Sequence, residues 1–294
     1  MKKPVCAVVG ASGFLGIETV PHVQSSFDVV ATSRRPRASH HVLDIRDRIA
    51  VQRFIDDVKP DAVALLAAGR DPDACEADPE EPRRLNVAPA GFFAAALPPG
   101  VPLLFVSTDY VFDGQNPPYA ESSPRHPVSM YGRSKMEAED LVLARPGGMV
   151  LRVPLLMGWT HDPEQSGFFS HLLGDLRRRE PLLLDHVLAR YPTWTRDVGR
   201  AITTLLATRQ SGIFHFSTSE RLTRYQSAQA MGEILGWPTN HLQPSYQVIP
   251  RKAQRPLDAR LSTGRWTSIG GFPATPFREV VKQFLATFPQ LNNQ

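Results

Sequence analysis

Gly10, Gly13 and Gly16 recur at a three-residue spacing in "VCAVVGASGFLG", between an apolar run and an amphipathic one. That placement constrains the fold more than any other feature of the chain. Small and β-branched apolar residues ending in glycine predict a buried strand, and "FLGIETVPHVQ" predicts the helix after it. Glycine permits the tight turn between them and close approach of a ligand to the backbone, while the helix start leaves N–H groups unpaired. Together these elements form an anion cradle of the kind that holds a dinucleotide pyrophosphate. Gly10, Ser12, Gly13, Phe14, Leu15 and Gly16 are therefore the expected cofactor contacts.

The first half of the chain repeats this alternation. "DVVATS", "KPDAVALLAAG", "VPLLFVST" and "GGMVLRVP" read as strands; "RIAVQRFIDDV", "PEEPRRLNVAPAGFFAAAL" and "SPRHPVSMYGRSKMEAEDLVLAR" carry helices between them. In the first of these helices Ile49, Phe54, Ile55 and Val58 form the expected apolar stripe. Strand–helix alternation predicts an α/β fold with a Rossmann-type, doubly wound parallel sheet. Residues 1–153 form the expected nucleotide-binding domain, completed by about 190–216; residues 154–189 and 217–294 form a smaller substrate-binding lobe. There, Thr223 is the expected cap of a helix stopped by Gly236 and Pro238, and "RRRE" at 177–180 reads as a solvated helix end.

With 294 residues, 42% hydrophobic and 21% charged, the chain can bury a large core. Its 33 basic and 29 acidic residues give a slight positive excess. That excess suits a small anionic ligand and is too weak to point to nucleic acid. Two cysteines exclude a disulfide framework or a cysteine-held structural metal, and Cys6 reads as a core residue. No apolar run reaches the roughly 20 residues of a membrane span. The apolar start is broken by Gly10, Ser12 and Gly13 and does not read as a signal peptide, so the chain reads as soluble and cytoplasmic, with no metal.

The end of the second strand selects the dinucleotide. NAD sites place an acid there for the ribose hydroxyls. Here "DVVATSRRPR" offers Ser33, Arg34 and Arg35, whose guanidinium forks suit a phosphate. NADP(H) is the expected cofactor, with Asp44 beside the adenine.

Two stretches carry candidate chemistry. "STDYVFDG" places Ser107, Thr108, Asp109 and Tyr110 at the mouth of an apolar strand, where unpaired polar groups would each cost roughly 1–3 kcal/mol. Tyr131 and Lys135 in "MYGRSKMEAE" are four residues apart at a helix start, so both face one side. An ammonium beside a phenol favours the phenolate, which predicts a lowered proton affinity for Tyr131.

These residues resemble those of the extended short-chain dehydrogenase/reductase superfamily. "STDYVFDG", "NPPYAE" and "YGRSK" look closer still to dTDP-4-dehydrorhamnose reductases and their relatives, which include the methionine adenosyltransferase regulatory beta subunit. The resemblance runs through "RYPTWTRDV", "GIFHFS" and "QRPLDARL", which are worded more like the beta subunit. It implies Thr108, Tyr131 and Lys135 as catalytic residues. Thr108 would hydrogen-bond the reacting carbonyl, Tyr131 would deliver the proton, and Lys135 would hold the nicotinamide ribose. It also implies Ala67, Ala68, Ser107, Tyr131, Lys135 and Val153 at the cofactor, and Asp109, Tyr110, Val111, Phe112 and Arg255 at the substrate.

Three departures from the reductase pattern bear on the substrate. Ala68-Gly69-Arg70 replaces a polar triplet, Tyr191-Pro192-Thr193 alone stands for a longer stretch, and "LLMG" follows "LRVP" without aromatic or hydroxyl residues. Two functions follow from the scaffold. One is NADPH-dependent reduction of a 4-keto sugar nucleotide by an enzyme that could pair as a homodimer. The other is a regulatory subunit that binds NADP and a methionine adenosyltransferase catalytic subunit. The beta subunit's docking tail is aromatic and basic, whereas "FLATFPQLNNQ" is short and polar, which favours the enzyme.

Overall fold

A computed structural model describes residues 2–178 and 180–293. Strand β1 (Val5–Val9) leads through the glycine turn to α1 (Gly16–Val23), then to β2 (Asp28–Ser33) and the short β3 (His41–Val42). Next come α2 (Arg48–Val58), β4 (Ala62–Leu65), α3 (Pro72–Ala77), α4 (Glu80–Pro82) and α5 (Ala88–Ala96). Strand β5 (Leu103–Thr108), α6 (Met130–Leu143) and β6 (Gly148–Val153) complete the first half. The second half holds β7 (Leu156–Met157), α7 (Phe168–Arg177), β8 (Leu182–Asp185), β9 (Thr193–Trp194), α8 (Thr195–Ala207) and β10 (Gly212–His215). It ends with α9 (Arg224–Leu235), β11 (Leu242–Ser245), α10 (Gly264–Ser268) and α11 (Phe277–Thr287).

Seven strands form one parallel sheet in the order β10-β6-β5-β4-β1-β2-β3. Alternation along β1 feeds both faces. Cys6 and Val8 pack with Val198, Ala201 and Ile202 of α8, while Ala7 and Val9 pack with Phe54 of α2, Phe93 of α5 and Ala138 of α6. This is the Rossmann-type architecture expected. Cys6 is fully buried, and desolvation pushes its thiol up to about 12, so it acts as a small core residue. Strand order reverses beside β1, so the crevice beyond the carboxyl ends of β1 and β4 is the ligand position of such sheets. A separate apolar cluster in the second half joins Phe169, Met231 and Phe284 of α7, α9 and α11.

Local chemistry sets the helix ends. The Asp47 side chain accepts from the Ile49 and Ala50 N–H groups and starts α2. Thr223 and Gln226 form a capping box on α9, which stops at Gly236 with φ 69°.

The apolar stripe of α2 differs from expectation. Val51, Phe54 and Ile55 are buried, but Ile49 is 62% exposed because it stands two residues from Val51, on the opposite side. The helix expected over 79–97 is divided by a π-helical turn, Arg83–Val87, between α4 and α5. In "RRRE", Arg177 pairs with Glu164 at 2.5 Å and lies over Trp237, whereas Arg178 is exposed; Arg179 lies outside the described residues. Among the described residues, no helix is long and apolar enough to cross a membrane.

Candidate active site

The glycine turn sits at the strand-order reversal. Gly10 has φ 90°, and a Cβ there would lie 2.8 Å from the Ala67 nitrogen, so the segment after β4 and the turn touch backbone to backbone. A Cβ at Gly16 would lie 2.3 Å from the Gly10 carbonyl oxygen. Those two glycines are required by the turn itself. Gly13 differs: a Cβ there would meet only the Gly10 carbonyl, at 3.2 Å. The start of α1, at Leu15, has no side-chain cap. An uncapped helix start behind an open glycine fits the pyrophosphate of a dinucleotide. Phe14 lies beneath the Arg70 guanidinium, 5.4 Å from carbon to ring centre, so this departure residue stands at the cradle.

Arg34 and Arg35 are exposed just beyond β2. The Ser33 hydroxyl donates to the Arg35 carbonyl at 2.7 Å and shapes that turn. Asp44 is clasped by Arg46, with contacts of 2.5 to 3.1 Å, and the pairing holds its carboxyl down at about 2. Arg34 adds to that pull. The basic residues and Asp44 thus share one rim. Ala67 and Ala68 follow β4, and Val153 packs in the apolar cluster that also holds Ala11 and Leu15.

Thr108 ends β5 and Tyr131 begins α6, whose cap Ser129 accepts from the Gly132 N–H at 3.2 Å. The Thr108 side chain acts on the Tyr131 phenol. Thr108 Oγ1 donates to Asp109 Oδ1 at 3.1 Å and accepts from the Tyr110 N–H at 3.2 Å. A hydroxyl and a carboxyl are therefore joined beside the phenol. Asp109 is 4% exposed, and burial pushes its carboxyl up to about 6 against the opposing pull of Arg190 and the Thr108 bond.

Lys135 is 2% exposed; its Nζ donates to the Val106 carbonyl at 2.6 Å and lies 3.9 Å from the Phe105 ring centre. Burial lowers its ammonium to about 7, and Glu139 opposes that fall. The expected lowering of Tyr131 does not occur. Burial raises the phenol, Asp109 raises it further, and only the Thr108 side chain resists. The reason is geometric: Lys135 points at strand β5, and its own charge is weakened by desolvation.

Ser107 also departs from expectation. Neighbouring strand residues face opposite sides, so Thr108 meets Tyr131 while Ser107 Oγ donates to Glu139 at 2.5 Å. The Ser107 hydroxyl is thus committed inside the protein rather than to a cofactor.

On the substrate side, Tyr110 stands edge-on to Tyr131 with ring centres 5.7 Å apart. Val111 and Phe112 do not line a site. Both are fully buried with Tyr119, Ala259 and Leu261, and Phe112 stacks on Tyr119 at 4.2 Å. The 3-10 turn Asp109–Val111 rotates them inward. Arg255 lies near Tyr110, its charge acting on the phenol, and is held by Asp73 through two bonds of 2.8 Å. Tyr191 is buried, and its hydroxyl donates to Asp258 at 2.9 Å.

Three residues at the site were not anticipated. Asn86, carried inward by the π-helical turn, accepts from the Gly69 N–H at 2.8 Å and donates to Ser134 Oγ at 2.9 Å. It fastens the loop after β4 to α6. Asp73 orients Arg255, and Arg190 acts on both Asp109 and Tyr110. Nothing in the local sequence marks Asn86 or Asp73; Arg190 lies inside "RYPTWTRDV".

The chain is similar to several known proteins along nearly its whole length. The zebrafish (Danio rerio) methionine adenosyltransferase 2 subunit beta is 34% identical over 291 residues, covering 96% of this chain and 90% of that protein. The Streptomyces niveus dTDP-4-keto-6-deoxy-D-glucose reductase is 29% identical over 290 residues, covering 97% and 96%. The solved dTDP-4-dehydrorhamnose reductase of Bacillus anthracis, in complex with NADP, shares the fold at a TM-score of 0.86 and 22% identity, covering 97% and 99%. Residues 5–289 match the family described as RmlD substrate binding domain, to which the chain therefore belongs.

Proposed function

We propose that this protein is an NADPH-dependent reductase of a 4-keto sugar nucleotide, acting in the cytoplasm, with residues 154–189 and 217–294 forming its substrate lobe. The observation that carries the reading is the placement of Thr108, at the end of β5, against Tyr131, at the start of α6, beside an open glycine cradle and the exposed Arg34 and Arg35. When bound, the nicotinamide would supply hydride to the keto carbon. Thr108 would hold the carbonyl oxygen, and Tyr131, kept protonated by burial, would donate its proton to that oxygen. Arg34 and Arg35 would take the ribose phosphate and Gly13 the pyrophosphate. Asp109, Tyr110 and Arg255 would face the sugar nucleotide.

The Streptomyces niveus reductase supports the enzyme reading along nearly the whole chain. The beta-subunit relatives, more alike in sequence, support a second: an NADP-binding partner of a methionine adenosyltransferase catalytic subunit.

One experiment separates the two. Oxidation of NADPH is followed by absorbance while dTDP-4-dehydrorhamnose and related 4-keto sugar nucleotides are offered in turn. The reductase reading expects turnover by the unmodified protein and a loss of about 10²–10⁴-fold in Tyr131→Phe, with NADPH binding retained. Binding of NADPH without turnover, combined with altered kinetics of an added methionine adenosyltransferase, would establish the regulatory reading instead.

A further inference from the structure

Glu76 has no part in the reading above, although it touches the helix that carries Tyr131. It is half-buried on α3, and its Oε2 accepts from the Met130 N–H at 3.0 Å. Met130 is the first residue of α6, and the N–H groups of a first helical turn have no partner inside the helix. Ser129 takes that of Gly132 and Glu76 takes that of Met130, so these bonds flank Tyr131 along the chain. The Tyr131 carbonyl accepts from Ser134 Oγ at 2.8 Å, and Asn86 donates to that same hydroxyl oxygen. Gly132 lies against the 3-10 turn, since a Cβ there would stand 2.2 Å from the Tyr110 carbonyl oxygen. The backbone around Tyr131 is thus fixed from several sides, and α3 supplies one of them through Glu76.

Helix α3 carries a second carboxylate on the same face. Asp73 precedes Glu76 by three residues, and positions three apart are neighbours on a helix surface. Asp73 Oδ1 and Oδ2 each accept from Arg255 at 2.8 Å, and Oδ1 also takes the Ala253 N–H. The helix is anchored at its start, where Asp71 Oδ1 accepts from the Asp73 and Ala74 N–H groups. The loop leading into it is held in turn, because Asn86 Oδ1 accepts from the Gly69 N–H at 2.8 Å. Cys75, between the two carboxylates in sequence, is buried. One short, anchored helix therefore takes a backbone N–H from each of two segments: the start of α6 and the stretch after β11.

We propose that Glu76 is a positioning residue: by holding the Met130 N–H it sets the first turn of α6, and so the place of the Tyr131 ring against Thr108 and Tyr110. Asp73, one turn back, holds the Arg255 segment from the same helix, so α3 keeps the proton donor and the substrate contact in register. The catalytic meaning of that placement rests on the reductase reading; the backbone contact does not. A side chain in the first turn moves with the turn that carries it, and a small displacement of a reacting group is costly in rate. The bond needs an acceptor rather than a charge, which separates this role from an electrostatic one.

The test reads Tyr131 directly. The chain has six tyrosines, so labelling their rings with ¹³C gives a sparse spectrum, assigned at this position by Tyr131→Phe. Glu76→Ala should shift the Tyr131 ring resonances and leave those of Tyr225, on α9, in place. Glu76→Gln, whose amide oxygen can accept the same N–H, should return them. Unchanged Tyr131 resonances in a folded Glu76→Ala protein would overturn the proposal, as would a shift that Glu76→Gln does not reverse. If Glu76→Ala does not fold, Glu76→Asp is read instead. Its carboxylate is one methylene short of Met130, and unchanged Tyr131 resonances would overturn the proposal equally. A second arm uses turnover of the 4-keto sugar nucleotide, counted per NADPH-binding site so that an unfolded fraction does not enter the rate. In Glu76→Ala kcat should fall about tenfold with KM nearly unchanged, and Glu76→Gln should recover most of it. An unchanged kcat would overturn the positioning role. Absence of turnover by the unmodified protein would count against the reductase reading alone, because the resonance arm needs no substrate.

Discussion

Asp73 grips Arg255 with both carboxylate oxygens at 2.8 Å and also accepts from the Ala253 N–H at 2.8 Å. The two side chains are 182 positions apart, and their contact fastens the segment after β11 to α3, next to Tyr110. Asp73→Asn keeps the shape but removes the charge. Amide exchange at Ala253 and its neighbours should quicken about tenfold, equivalent to about 1.4 kcal/mol of local opening. Unchanged exchange would mean that the segment is held elsewhere.

The basic rim beyond β2 should discriminate between cofactors. Arg34→Ala/Arg35→Ala should weaken NADPH at least about tenfold and leave NADH nearly unaffected, because only the former carries the additional phosphate. Calorimetry on the unmodified protein showing equal affinity for both would remove the basis of the NADP assignment.

The glycines of the turn should fail in different ways. Gly16→Val drives a side chain into the Gly10 carbonyl, 2.3 Å from where its Cβ would stand, and should prevent stable folding. Gly13→Val meets that carbonyl only at 3.2 Å, so it should fold and lose NADPH. Thermal melts separate the two variants, and cofactor titration decides the second. Normal NADPH binding by Gly13→Val would reduce Gly13 to a turn residue.

Asp109 makes stability depend on pH. Its carboxyl is raised from 3.8 to about 6 on folding, so the folded state holds the proton more tightly. Its contribution is greatest below the unfolded value and is lost as pH rises through about 6. Asp109→Asn removes that loss. The variant should gain up to about 3 kcal/mol over the unmodified protein at pH 8, with no gain below about pH 4. Urea unfolding across that range checks it, and a difference independent of pH would disprove it.

Legibility in the sequence followed how local each determinant is. The limits of β2 and α2 are readable because periodicity and an Asp47 cap lie within the segment itself. The glycine turn is readable for the same reason, as is the Tyr131–Lys135 spacing. Ile49 misleads because hydrophobicity does not reveal that the packed stripe runs through Val51, Phe54 and Ile55. Val111 and Phe112 mislead because a single 3-10 turn takes them from the site into a core completed by Ala259 and Leu261, far along the chain. The direction of the Lys135 side chain is also non-local. It depends on a carbonyl of β5 and a buried carboxylate, and spacing along one helix contains neither.

Strand β10 and helix α8 belong to the sheet layers, yet they leave the ribosome after β7, α7, β8 and β9. The first 153 residues consequently emerge as an unfinished sheet, with the free edge of β6 awaiting β10 and the Cys6–Val8 face awaiting Val198 and Ile202. Bare strand edges and apolar faces invite contact between chains. During synthesis, then, the nascent chain stays open along that edge until about sixty further residues have been added. A premature stop within that interval yields a fragment prone to aggregate rather than a smaller nucleotide-binding protein.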